Sequence, residues 1–110
     1  MKLPYAEHVR VDREKVTDYL LSPSHPDGAS KANFFTRYGF RVENWQILAE
    51  ALRKHGQTHP VVKAVDSNYG SRYSVDGDLE APDGRRPLVR TVWILAKGSA
   101  EPRLVTAYPA

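Results

Sequence analysis

The run His25-Pro26-Asp27-Gly28-Ala29-Ser30-Lys31 concentrates side chains that suit chemistry on an anion. Pro26 fits the first position of a helix, because its fixed φ is helical and its missing N–H would have no partner there. His25 then stands beside a helix N-terminus, where free backbone N–H groups and the helix dipole favour a group such as phosphate. Lys31 falls about one turn further on and faces the same space. An imidazole that moves protons and an ammonium that offsets developing charge are what phosphoryl transfer requires. The plainer alternative is a loop histidine next to a solvated helical lysine.

Further candidates lie on the segments after Pro60. Arg90 interrupts the apolar run Leu88-Val89-Arg90-Thr91-Val92-Trp93-Ile94-Leu95. A guanidinium there needs a partner, since an unpaired buried charge is expensive. That partner is either a carboxylate, with Asp76 and Asp78 as candidates, or a phosphate clamped from the sheet surface. Strand alternation puts Arg90 on one face with Leu88, Val92 and Ile94, and Thr91 on the other with Val89, Trp93 and Leu95. Leu104, Thr106 and Tyr108 are expected to share a face, where a hydroxyl and a phenol could orient a ribose or stack a base. Tyr69 and Tyr73 pose the same choice between base stacking and ordinary packing. Asp76, Asp78 and Glu80 also alternate onto one face, the pattern of a solvated edge more often than of a cation site. His55 and His59 have the i, i+4 spacing of a zinc pair, but Gly56 and Pro60 bracket them, so they are not expected to share a helical face. No metal site is expected.

These residues need elements to hold them. Asp12 is a candidate N-cap, followed by Val16, Tyr19 and Leu20 at i, i+3, i+4. Ala32, Phe35 and Tyr38 continue the second helix, with Gly39 as a left-handed stop. Trp45, Leu48, Ala49 and Leu52 give the clearest stripe, with Gly56 as its end. The spacing therefore predicts helices over about 12–21, 27–38 and 43–55. After Pro60 the period becomes two, predicting strands over about 61–67, 72–80, 87–97 and 103–108, separated by turn residues such as Asn68-Tyr69-Gly70 and Pro82-Asp83-Gly84. Short connections favour antiparallel neighbours. The expected fold is α+β, a single domain over 1–110 with three N-terminal helices packed on one face of a four-stranded antiparallel meander.

Composition sets outer limits. The chain has 110 residues, enough for one modest core, and its 41% hydrophobic and 26% charged content is that of a globular domain. There is no cysteine, which removes disulfides, thiolate nucleophiles and cysteine-ligated zinc. Phosphate-cradling glycine motifs and the Gly-x-Ser-x-Gly elbow are absent. No segment is apolar enough for a membrane span, and the first residues lack the core of a signal peptide. A cytosolic protein, or a module carried by a larger one, is the expectation. The net charge of +3 permits nucleic acid without requiring it.

Taken together, Lys2-Leu3-Pro4, His25-Pro26-x-Gly28-x-x-Lys31-Ala32 with Phe35, Ser71-Arg72-Tyr73-x-Val75-Asp76, Val89-Arg90-Thr91-x-Trp93-Ile94 and Leu104-Val105-Thr106-Ala107-Tyr108 resemble a family of small bacterial domains without an assigned activity. Its members occur alone or as C-terminal modules of secreted proteins. The element order, the early His/Lys pair and the closing Thr-Ala-Tyr-Pro strand also resemble the barnase–EndoU–colicin–RelE superfold of ribonuclease toxins. That resemblance implies a metal-independent endoribonuclease, needing no cofactor, that activates a ribose 2′-hydroxyl against the adjacent phosphate of tRNA or another structured RNA. It implies His25 for acid/base work, Lys31 and Arg90 for charge stabilisation, and Thr91 or Thr106 with Tyr108 for positioning, while Arg72 and Tyr73 would contact substrate. Because Arg90 and Thr91 point to opposite faces, at least one of this set is expected to be structural. It further implies a cognate immunity or antitoxin protein, and action in the cytoplasm after delivery from a larger secreted protein. The rival expectation is a non-enzymatic interaction module, itself antitoxin-like.

Overall fold

A computed structural model describes all residues, Met1–Ala110. A 3₁₀ turn at Ala6–His8 precedes helix α1, which starts as an α-helix at Arg13–Lys15 and continues as a π-helix at Val16–Leu20. Helix α2 spans Ala29–Arg37, and helix α3 spans Trp45–Thr58 after a 3₁₀ turn at Val42–Asn44. Strands β1 (Val61–Ser67), β2 (Gly70–Asp78), β3 (Leu88–Ala96) and β4 (Arg103–Pro109) follow. They form one antiparallel sheet in the order β1-β2-β3-β4. The α+β class, the three helices and the meander agree with the sequence pattern.

The helices are shorter or more broken than periodicity alone suggests. In α1 the Leu21 N–H donates to the Val16 carbonyl at 2.9 Å, widening the turn while Val16 and Leu20 stay fully buried. Helix α2 starts two residues later than expected, because His25 organises residues 26–28 as a separate turn. Gly28 there lies so close to the Tyr19 carbonyl oxygen that a Cβ would collide with it. Helix α3 does not stop at Gly56 but runs through it to Thr58. The Trp93 indole packs on that glycine, and a Cβ would sit 2.5 Å from its Cζ2. The helix ends where the residue before Pro60 must be extended, and His59 has φ −109°, ψ 157°. Strand β2 starts and ends two residues earlier than expected, from Gly70 to Asp78.

Val75, Val89, Thr91, Trp93, Leu104 and Ala107 turn from β2, β3 and β4 toward the helices and are buried with Phe35, Leu48 and Leu52. Leu104 was expected beside Thr106 and Tyr108, and the register corrects this. Val92 pairs with Thr106 but Trp93 pairs with Leu104, so an extra residue bulges β4 at Val105. The bulge sends Leu104 into the core and leaves Thr106 and Tyr108 on the face turned away from α3, opposite Val92 and Arg90. Arg10 covers the β4 edge, with its N–H on Pro102 O at 2.7 Å and its carbonyl accepting from Leu104 at 2.9 Å. Strand β1 is the open edge, exposed from Val62 to Ser67.

The core contains one polar chain. The His55 Nε2 faces the carbonyls of Val89 (2.9 Å) and Gly77 (3.1 Å), which only accept, so this nitrogen carries the proton. Nδ1 therefore accepts from the Thr91 hydroxyl at 3.0 Å, and Thr91 Oγ1 accepts from Trp93 Nε1–H at 2.8 Å. Every donor has one direction. Thr91→Val deletes the middle of this chain and leaves two buried polar atoms unpaired, at about 1–3 kcal/mol each. We expect it to lower unfolding free energy by about 2–6 kcal/mol, whereas Thr91→Ser, which keeps both bonds, loses about 1 kcal/mol of methyl burial. Urea denaturation of the three proteins measures the difference.

Candidate functional site

Tyr19 is the hub of the candidate site. The π turn of α1 projects its phenol past the β4 edge, where Oη lies 2.9 Å from Thr106 Oγ1. The His25 ring meets its ring edge-on at 5.1 Å between centroids. Lys15 Nζ and Lys31 Nζ lie 5.2 and 5.4 Å from the same centroid, within cation–π range. His25 and Lys31, expected to face one space, are thus brought together by a residue that periodicity assigned to the core stripe. His25 Nδ1 accepts the N–H groups of Asp27 (3.0 Å) and Gly28 (3.1 Å), which caps the turn and places the ring proton on Nε2. Lys31 Nζ also donates to Asp27 O at 3.1 Å. A cavity of about 400 Å³ beside this cluster is lined by Asp12, Glu14, Lys15, Asp18, Tyr19 and His25.

From Thr106 the site continues along the face turned away from α3. Tyr108 pairs across β3 with Arg90, and Arg90 across β2 with Asp76. Arg90 grips Asp76 through two bonds, Nε to Oδ1 at 2.7 Å and Nη2 to Oδ2 at 2.8 Å, leaving Nη1 free of that pair. The carboxylate partner weighed from sequence is therefore Asp76. The pair holds the Asp76 carboxyl below the usual range, and Asp76, then the Tyr108 phenol, raise Arg90 further. Register places Lys63, Arg72 and Arg103 on this face as well. Four cations on this face stand against Asp76 and, two residues further along β2, Asp78.

Two expected site residues lie elsewhere. Thr91 is fully buried in the His55–Trp93 chain, and Tyr73 belongs to the core at 9% exposure, so neither touches the surface. Arg72 is exposed on the open face, and Tyr69 protrudes from the β1–β2 turn.

His55 on α3 and His59, just past the end of the helix, bring their rings side by side with centroids 4.8 Å apart, and Gly56 does not end the helix. They diverge chemically, since His59 bonds His55 O at 3.0 Å and Asp78 Oδ1 at 2.9 Å. Asp78 also accepts from Arg86, and Glu80 from Lys54 and Arg86, around a cleft of about 160 Å³. Each of Asp76, Asp78 and Glu80 is thus committed to cations, and no three metal-ligating side chains converge.

A family model, the domain of unknown function DUF6883, matches residues 2–110. The chain belongs to this family. No curated protein matches it in sequence. Its fold is similar to a solved chain from a contact-dependent growth inhibition toxin–immunity protein complex of Klebsiella pneumoniae 342. The TM-score is 0.73 at 21% identity, over 96% of each chain, so the helices-then-meander architecture is common to both. No helix of this DUF6883 domain is long and apolar enough to cross a membrane.

The buried and paired groups predict how stability responds to acid. Burial is the main cause that pushes the His55 pKa below 6.5, so the unfolded chain takes up a proton that the native state refuses. Stability therefore falls as pH drops below 6.5. Arg86, then His59, hold Asp78 at about 2 against an ordinary 3.8; its contribution is full above 3.8 and is lost from there toward 2. Asp76, Glu80 and Asp83 act in the same direction. The urea midpoint should decline in two stages between pH 8 and 2.5, and Asp78→Asn should shrink only the more acidic one.

Proposed function

We propose that the chain is a metal-independent endoribonuclease toxin domain that cleaves tRNA or another structured RNA by attack of a 2′-hydroxyl on the adjacent phosphate. The observation that carries this reading is the Tyr19–Thr106 bond, which joins the His25/Lys31 cluster to the face holding Tyr108, Arg90, Arg72 and Arg103. A phosphate lying over β4 would meet Lys31 and the His25 Nε2–H on one side and the Arg90 Nη1 and Tyr108 on the other. Arg72 and Arg103 extend the same face along the nucleic-acid backbone. Commitment of the acidic side chains to Arg and Lys partners supports chemistry driven by organic cations. The similarity in fold to a chain of a toxin–immunity complex supports the toxin role. The expected partner is an acidic immunity protein covering the basic face. The expected site of action is the cytoplasm of a target cell, reached as the C-terminal module of a secreted protein.

A non-enzymatic, antitoxin-like module is the second reading. It is favoured by two facts of the site: Asp76 already neutralises Arg90, and the His25 Nδ1 is occupied as a cap.

Incubation with total tRNA in excess EDTA separates the two. The parent should cut RNA in chelator, leaving a 2′,3′-cyclic phosphate and a 5′-hydroxyl. His25→Ala and Arg90→Ala, checked for folding by circular dichroism, should each reduce the rate by about 10²-fold or more. Intact RNA in all three reactions, with and without Mg²⁺, would leave the interaction module as the better reading.

A further inference from the structure

We propose that Tyr19, which periodicity places in the core stripe, is the general acid of the reaction, donating its phenolic proton to the 5′-oxygen that leaves. This inference rests on the ribonuclease reading above. Three independent observations carry it. The first is backbone geometry: the π-helix at Val16–Leu20 is the element that presents Tyr19, and such turns are uncommon and concentrate at functional sites. Gly28 packs against the carbonyl of Tyr19 itself, where a side chain on residue 28 would displace that turn.

The second is the surroundings of the phenol. Lys15 and Lys31 bring two ammonium groups near its ring, and Thr106 Oγ1 touches its oxygen. A phenol that gives up a proton leaves a phenolate. The Thr106 hydroxyl can rotate to donate to that oxygen, and the two ammonium groups lie against the ring. Asp12, Glu14 and Asp18 also line the adjoining cavity; Asp12 is paired with Arg10 and Asp18 accepts from Thr17.

The third is elimination among the histidines His25, His55 and His59. With Nδ1 accepting two backbone N–H groups, His25 is held as the Nε2–H tautomer, suited to donate a hydrogen bond to a non-bridging phosphate oxygen. His55 is sealed in the core, and both ring nitrogens of His59 are engaged beside a different cleft. Tyr19 is left at the junction of the cationic cluster and the open face. In the step, the 2′-oxygen forms a bond to phosphorus and the P–O5′ bond breaks. The phenol proton passes to O5′, the 2′-hydroxyl proton passes to solvent water, and water later restores the phenol.

Leaving-group chemistry tests the assignment. A sulfur in the 5′-bridging position departs as a thiolate and needs no proton. Two RNA oligonucleotides spanning the mapped cleavage site, one with the normal 5′-oxygen and one with the bridging sulfur, are compared in the parent and in Tyr19→Phe. Phenylalanine keeps the ring that packs on His25 and the lysines. Tyr19→Phe should lose about 10²- to 10⁴-fold on the oxygen substrate and stay within a few-fold of the parent on the sulfur substrate. Equal rates on the oxygen substrate, or equal losses on both, would overturn the assignment, the latter giving Tyr19 a positioning role instead. A parent that cleaves neither would overturn the nuclease reading and this inference with it.

Discussion

The buried chain from Trp93 through Thr91 to His55 decides which way the sheet faces. Its last donor reaches carbonyls on two strands, Val89 of β3 and Gly77 of β2, so one side chain of α3 fixes that helix across both. A slip of β3 by one residue would bring Arg90 and Val92 inward and strand the imidazole against apolar carbon. The cost of leaving such groups unpaired makes the register specific as well as stable. Gly56 belongs to the same constraint, because the indole that starts the chain lies where a larger residue on α3 would be. Burial keeps the imidazole neutral, which is the form that the directed hydrogen bonds require.

Once Thr91 and Trp93 point inward, Arg90 must point outward, and it can be held there only by cross-strand neighbours. Asp76 and Tyr108 stand at those positions. The β4 bulge then resolves a conflict between core and surface. Without it, the alternation that seats Ala107 would turn Leu104 away from the core. The extra residue satisfies both and turns Thr106 toward the α1 side. The π turn of α1 does the matching work across the gap, keeping Val16 and Leu20 buried while extending Tyr19 outward. Two local irregularities, one on each side, meet in a single hydrogen bond.

Much of the fold is legible in the sequence because periodicity reports burial. The 3.6-residue stripe of α3, the alternation after Pro60 and the turn residues between strands place the main elements, and Arg90 among apolar residues already demands a partner. What periodicity misses is whatever depends on a distant contact. Gly56 reads as a helix stop because a glycine needed for conformational freedom and one needed for close packing look alike until Trp93 is in place. Thr91 is taken as a candidate to position substrate because strand-favouring residues carry no mark of what they bond. Tyr19 fits its apolar stripe, and its polar end is silent. The available signal was a phenol four residues after Lys15 on a segment closed by His25 and Gly28, which suggests a ring that faces a boundary rather than the interior.

Charge placement bears on how RNA would be held. A net +3 is small for a protein that binds by counterion release alone. Lys63, Arg72, Arg90 and Arg103 gather on one face, whereas the flank of α1 carries Asp12, Glu14 and Asp18 around Lys15. A phosphate backbone approaching from that flank meets carboxylates, and one crossing β4 toward Arg90 and Arg72 meets cations. The opposed signs define a direction of approach more than they supply affinity. Asp76 sharpens this, because it takes Nε and Nη2 of Arg90 and leaves only Nη1 outside the pair. On the proposed ribonuclease reading such a surface would hold phosphate weakly in general and well only where shape brings it close. Structured RNA, whose folded backbone presents phosphates at fixed spacing, would meet that condition better than an extended strand.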